Sequence, residues 1–124
     1  MFGPKQDLVK QNLNKCLDLT KNIKMRGLLQ NLIRKDIILT ESVCKAMASV
    51  DRGDFTESEL AYHDMYFNIR FNIFRPQGIE YGATISAPHM HAMALEYLKE
   101  YLKPGNKVLD VGSGSGYLYS NIKI

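Results

Sequence analysis

The chain has 124 residues, of which 45% are hydrophobic and 23% charged, with a net charge of +3 at neutral pH. That length allows one domain at most, and the apolar content suits a modest core and argues against disorder throughout. The basic residues are scattered without a dense run, so no nucleic-acid partner is expected, and no stretch approaches the roughly 18 apolar residues of a membrane span.

The N-terminus, Met1-Phe2-Gly3-Pro4-Lys5-Gln6-Asp7, has no apolar core for export, so a cytoplasmic protein is expected, and a monomer. Leu8, Val9, Leu13, Cys16 and Leu17 recur at helical spacing, which predicts an amphipathic helix over about residues 5–20. Leu28, Leu29, Leu32 and Ile33 predict a second helix ahead of Asp36-Ile37-Ile38. Thr40 is placed to N-cap a third, with Val43, Ala46, Met47 and Val50 as its apolar face. Asp51-Arg52-Gly53-Asp54 ends that helix, with Gly53 expected in a left-handed turn. Cys16 and Cys44 lack metal-ligand spacing and are expected to be free thiols.

From Phe67 to Ile73 apolar residues alternate with Asn68, Arg70 and Asn72, the period of a half-buried strand. Pro88 opens a fourth helix running to about Leu102, with Met90, Met93, Ala94, Tyr97, Leu98, Tyr101 and Leu102 expected as its buried stripe. Pro104-Gly105 stops it. Lys107-Val108-Leu109-Asp110-Val111 then reads as a short strand leading into Gly112-Ser113-Gly114-Ser115-Gly116.

Two segments carry chemistry. Glycines at 112, 114 and 116 permit a tight turn and let a ligand approach the backbone. Their G-x-G-x-G spacing is not the G-x-G-x-x-G of dinucleotide folds, and no downstream acid exists to hold a ribose, so a nicotinamide cofactor is disfavoured. Thr84-Ile85-Ser86-Ala87-Pro88 offers two hydroxyls before a helix; on local grounds this is a cap, with Ser86 or Ala87 at the N-cap and Pro88 at the first helical position. His89 and His91 diverge at a helix start with no further His or Cys nearby, so no metal site is expected.

The run Ala83–Ala92 resembles the signature of the protein-L-isoaspartate O-methyltransferases. Asp51-Arg52-Gly53, Leu29-Gln30-Asn31-Leu32 ahead of Ile37-Ile38, and the acid-x-G-x-G-x-G motif from Asp110 to Gly116 match the same family. The resemblance covers about residues 28–64 and 75–118. It implies an α/β fold, in which an N-terminal helical and loop region (residues 1–106) leads into the start of a Rossmann-like sheet (residues 107–124), most of that sheet lying outside this chain. It implies S-adenosyl-L-methionine as cofactor and isoaspartyl peptides and proteins as substrates, methylated on the α-carboxyl for repair. Ser86 corresponds to the family's active-site serine. By the same resemblance Ala83, Thr84, Ile85 and Ser86 are expected to line the cofactor and substrate pocket, with His91 beside the cofactor. The resemblance likewise implies that Gly112, Ser113, Gly114 and Gly116 cradle its methionine part, with Asp110 at the edge. The alternative is a non-catalytic helical module that binds a partner or peptide.

The family pattern is interrupted at residues 65–74 and again after Leu118. Nine of the ten residues at 65–74 are Phe, Tyr, Met, Ile or Asn, encoded by AT-rich codons. Both stretches are expected to be translated intron sequence, the rival being a genuine extra strand on a short protein. On the first reading the chain is an incomplete copy, inactive alone.

Overall fold

The computed structural model describes residues 4–56, 61–63, 77–78 and 84–123. Helix α1 (Pro4–Cys16) runs into a 3-10 turn at Leu17–Leu19, α2 spans Ile23–Arg34 and α3 spans Glu41–Ser49. A second 3-10 turn follows at Arg52–Asp54. Two short strands, β1 (Gln77–Gly78) and β2 (Thr84–Ile85), pair antiparallel, with Gln77 opposite Ile85 and Gly78 opposite Thr84. Helix α4 (Pro88–Leu98) passes into a 3-10 turn at Lys99–Tyr101, and α5 (Tyr117–Lys123) closes the described chain. Among the described residues no helix is long and apolar enough to cross a membrane.

The core forms where the helical periodicities meet. Leu13, Cys16 and Leu17 from the first segment pack with Leu28, Leu29, Leu32 and Ile33 of α2 and Val43, Cys44 and Met47 of α3. Ala92 and Leu95 bring α4 onto the same core, and Leu118 and Ile122 of α5 pack against it. Helix α3 is central, touching α1, α2, α4 and α5. Each of the fully buried leucines would cost about 2–5 kcal/mol to truncate to alanine. Cys16 and Cys44 are buried free thiols.

Local signals fix the helix ends. The Asn22 side chain accepts from the backbone N–H groups of Lys24 and Met25, capping α2. At its other end Asp36 adopts φ 58°, while Asp36 N–H donates to Ile33 O and Ile37 N–H to Leu32 O. This is a Schellman ending with aspartate where glycine is usual. Thr40 stands at the N-cap of α3 but makes no side-chain cap. Its hydroxyl donates to Glu96 of α4, which also accepts from the N–H groups of Leu39 and Thr40 at 2.8 and 2.9 Å. A carboxylate from a distant helix has taken over the polar satisfaction of this corner.

Four expectations are corrected. Val108–Val111 forms no strand: residues 106–110 have no regular secondary structure, and Leu109 and Val111 are 87% and 85% exposed. A strand exists only through a ladder, and among the described residues no neighbour pairs with this segment. The predicted buried stripe of α4 is largely on the outside. Met90, Met93, Leu98 and Tyr101 are exposed and Tyr97 is 77% exposed, while Pro88, His89, His91, Ala92 and Leu95 are buried. This helix is apolar on more than one face, and α3 takes the Ala92–Leu95 side. The α-helix also ends at Leu98, short of Leu102. Gly53 lies within the 3-10 turn rather than in a left-handed conformation; among the described residues the glycines with positive φ are Gly105, Gly112, Gly114 and Gly116. The alternating stretch at 65–74 lies outside the described residues.

Candidate functional site

The glycine turn takes its shape from its dihedrals. Gly112, Gly114 and Gly116 sit at φ 74°, 56° and 84°, a region side chains disfavour. A β-carbon on Gly112 or Gly116 would meet no protein atom within 4 Å, so crowding inside the chain does not require glycine there. The turn closes through Gly116 N–H donating to Ser113 O at 2.9 Å and leads directly into α5.

On the other side, β2 carries Thr84 and Ile85 into Ser86, and Ala87 forms the N-cap of α4 with Pro88 at the start. Ala87 has no side chain that can cap, and His91 N–H and Met90 N–H reach back to its carbonyl. His91 is thereby placed one turn into α4, on the buried face.

These two segments face one another across a cavity of about 270 Å³. Ile85, Ser86, His91, Asp110, Gly112, Ser113 and Gly114 line it, together with Met90, Ala94, Val111, Ser115, Tyr117 and Leu118. The volume falls just below the roughly 300–1,000 Å³ of pockets that take a whole small ligand, and suits part of one. Gly116 belongs to the turn but not to the lining. Thr84 contributes backbone to β2, and Ala83 lies outside the described residues.

Two polar features define the cavity's chemistry. Oδ2 of Asp110 is buried with no hydrogen-bond partner among the described residues. A buried carboxylate oxygen without a partner is costly, and a cationic or N–H-bearing ligand group would satisfy it. The second is a cluster that composition and spacing do not reveal. Arg52, fully buried at 0% exposure, reaches from the 3-10 turn after α3. Its Nη1 lies 3.0 Å from Nδ1 of His91, and its Nη2 donates to the carbonyl of Ser86. A guanidinium can only donate, so Nδ1 of His91 is the acceptor. The His91 pKa is pushed down to about 4, first by burial and then by the charge of Arg52, with His89 adding to the effect. The ring is therefore neutral at physiological pH.

Tyr117 completes the cluster. Its buried ring lies 4.8 Å from the His91 ring, edge-on to Phe55 at 5.4 Å, and 5.2 Å beneath the Arg52 guanidinium carbon. Burial raises the phenol pKa above its ordinary value. In the sequence Arg52 stands out only as part of the segment that ends the third helix and of the family-like tripeptide Asp51-Arg52-Gly53. No helical or strand period connects residue 52 to residues 86, 91 and 117, and the residue type was the one available signal: an arginine beside a predicted apolar helix end.

The comparisons with known proteins bear on the same residues. The family model described as protein-L-isoaspartate(D-aspartate) O-methyltransferase matches residues 23–122. An Arabidopsis thaliana protein-L-isoaspartate O-methyltransferase 1 is 48% identical over 96 residues, covering 77% of this chain and 37% of the relative. A Caenorhabditis elegans protein-L-isoaspartate O-methyltransferase is 48% identical over 91 residues, covering 73% and 36%. Among solved structures, a Plasmodium falciparum chain described as a beta-aspartate methyltransferase in complex with S-adenosyl-L-homocysteine matches at TM-score 0.65 and 45% identity, covering 77% of this chain and 39% of that one. The chain thus spans somewhat more than a third of the length of these relatives. With 100 of its 124 residues inside the family model, counted from 23 through 122, the chain belongs to the protein-L-isoaspartate(D-aspartate) O-methyltransferase family.

Proposed function

We propose that this chain carries the cofactor cradle and positioning serine of an enzyme that transfers a methyl group from S-adenosyl-L-methionine to the α-carboxyl of L-isoaspartyl residues in damaged proteins. The observation that carries this reading is the cavity itself. It joins Ser86 and His91 to Asp110, Gly112 and Gly114, and Oδ2 of Asp110 has no hydrogen-bond partner among the described residues. The donor set fits the methionine end of the cofactor: Asp110 for its positive charge, and the glycine turn for close approach of its backbone. Bound there, the cofactor supplies an electrophilic methyl group on a sulfonium.

An isoaspartyl carboxylate is already ionised at neutral pH and needs no base to activate it. Opposite charges are lost as the methyl moves, so an oxyanion-type site would help little, and catalysis comes from proximity and alignment. Ser86 is suited to hold one carboxylate oxygen while the other attacks, and it forms no covalent intermediate. A neutral His91 adds no positive charge next to a cationic cofactor. Methyl transfer itself is proposed to require the further length that the relatives carry, because the described residues contain no parallel sheet.

Calorimetry of S-adenosylhomocysteine against this chain tests the reading. Saturable one-to-one binding that is lost in Gly114→Val and Asp110→Ala supports it. A folded chain that binds none of the compound favours the non-catalytic module.

A further inference from the structure

We propose that Arg52 is the positioning residue of this cavity: its two terminal nitrogens lock the Ser86 backbone and the His91 ring together, fixing His91 as the Nε2–H tautomer so that it offers a hydrogen-bond donor to the ligand. The proposal rests on the cofactor reading for the identity of that ligand, but not for the geometry of the lock.

The anchor of Arg52 is rigid. Asp51 caps the 3-10 turn by accepting from Gly53 N–H at 2.9 Å, and Asp51 is itself held by the Tyr62 hydroxyl at 2.7 Å and the Asn22 amide at 3.2 Å. From that turn the side chain enters the protein interior, where a guanidinium is costly unless its N–H groups find acceptors. Two of those acceptors are the carbonyl of Ser86, in the link between β2 and α4, and Nδ1 of His91, one turn into α4. A planar fork can serve two acceptors at fixed angles; an ammonium cannot do so with the same geometry. The Tyr117 ring covers the guanidinium carbon and leaves the fork little freedom.

The consequence for His91 follows from valence. With Nδ1 accepting, a neutral imidazole must carry its proton on Nε2, and Nε2 is the one ring nitrogen left for a ligand in the cavity. Among the described residues, the titratable and charged groups facing the ring are Arg52 from the 3-10 turn, His89 from its own helix, Tyr117 from α5 and, across the cavity, Asp110 ahead of the glycine turn. The charge of Arg52 opposes protonation of the ring. Arg52 thus selects the tautomer in which His91 meets a cationic cofactor, and its charge adds to the burial that keeps the ring neutral.

The test uses the full chain labelled with ¹⁵N-histidine and long-range ¹H–¹⁵N spectra, with His91→Asn to assign the ring. At pH 7 the wild-type ring should show Nδ1 as the unprotonated acceptor and Nε2 as N–H. In Arg52→Met the tautomers should mix and the titration midpoint should rise, remaining below 6.5 because burial is the larger cause. Affinity for S-adenosylhomocysteine should fall roughly tenfold or more in the same variant. A proton on Nδ1 in the wild-type chain overturns the proposal without any variant, so it stands or falls even where Arg52→Met does not fold. An unchanged tautomer and midpoint in a folded Arg52→Met also overturns it. A wild-type chain that shows the Nε2–H tautomer yet binds no S-adenosylhomocysteine supports the lock while refuting the cofactor reading.

Discussion

The hydroxyl of Tyr62 occupies the space that a side chain at Gly53 would need. A β-carbon built on Gly53 would overlap the Tyr62 oxygen and stand 2.9 Å from Cζ. The same hydroxyl donates to Asp51 at 2.7 Å and accepts from the Asn22 amide at 3.0 Å. Glycine is therefore required here by a neighbour, whereas at Gly112 and Gly116 it is required by backbone dihedrals.

Gly53→Ala should accordingly displace Tyr62 and break its bonds to Asp51 and Asn22, costing about 1–3 kcal/mol of stability. Tyr62→Leu should lose part of the same network on its own, so the double variant should be less destabilised than the sum of the two. Urea midpoints of the four proteins measure this; strict additivity would show that the two positions do not compete for space.

Glu96 should matter to the fold through its acceptor oxygens. It satisfies the backbone N–H groups of Leu39 and Thr40 and the Thr40 hydroxyl, and it also pairs with Lys99 at 3.3 Å. Glu96→Ala should destabilise by about 2–3 kcal/mol, as for hydrogen bonds to a charged group lost at a part-buried corner. Glu96→Gln should cost clearly less because Oε1 still accepts. Equal losses in thermal denaturation would assign the effect to the Lys99 ion pair instead.

The His91 shift predicts a pH dependence of stability with a definite sign. The folded pKa, about 4, lies below the ordinary value of 6.5, so the unfolded chain binds the extra proton first as pH falls. The stability tied to a neutral His91 is fully present above about 6.5 and is lost progressively as pH falls toward 4. The loss across that window should be roughly 2–3 kcal/mol. Urea titrations at intervals from pH 7 to 4 should show this slope in the wild-type chain and a flatter one in His91→Asn.

Cys44 should be chemically silent in the native state. Its thiol is buried, donates to Leu13 O at 3.5 Å, and has a pKa pushed up to about 12, chiefly by burial and secondarily by Cys16. At pH 8 only about one thiol in ten thousand would be the thiolate, the form that reacts. Ellman's reagent should modify it only as the chain opens, at a rate that increases with urea. Rapid labelling of the folded protein would contradict this placement.

In an active enzyme containing this sequence, Ser86→Ala should lower kcat and leave S-adenosylhomocysteine affinity nearly unchanged. A hydroxyl that aligns a carboxylate acts more in the transition state than in cofactor binding. The loss should be roughly ten- to a hundredfold, the worth of one hydrogen bond to a charged group. A fall in affinity with kcat preserved would move Ser86 from the substrate to the cofactor.

The three N-terminal helices were legible in the chain because their apolar residues recur at i, i+3 and i+4, and periodicity of that kind is local. Leu28, Leu29, Leu32 and Ile33 are all buried as that pattern requires. The glycine turn and the Ser86–His91 loop were legible as motifs, and folding brings both to one cavity. Three features were decided only by tertiary structure. Helix α4 has apolar residues on several faces, so its sequence alone did not determine that Ala92 and Leu95 would face the core while Tyr97 faces out. Val108–Val111 has strand composition, but a strand requires a hydrogen-bonded neighbour and none of the described residues provides one. The lock of Arg52 on Ser86 and His91 joins positions 34 and 39 residues apart, and no local rule reaches that far. Sequence patterns record which residues a segment can bury; which of those residues meet is set by the packing of the whole chain.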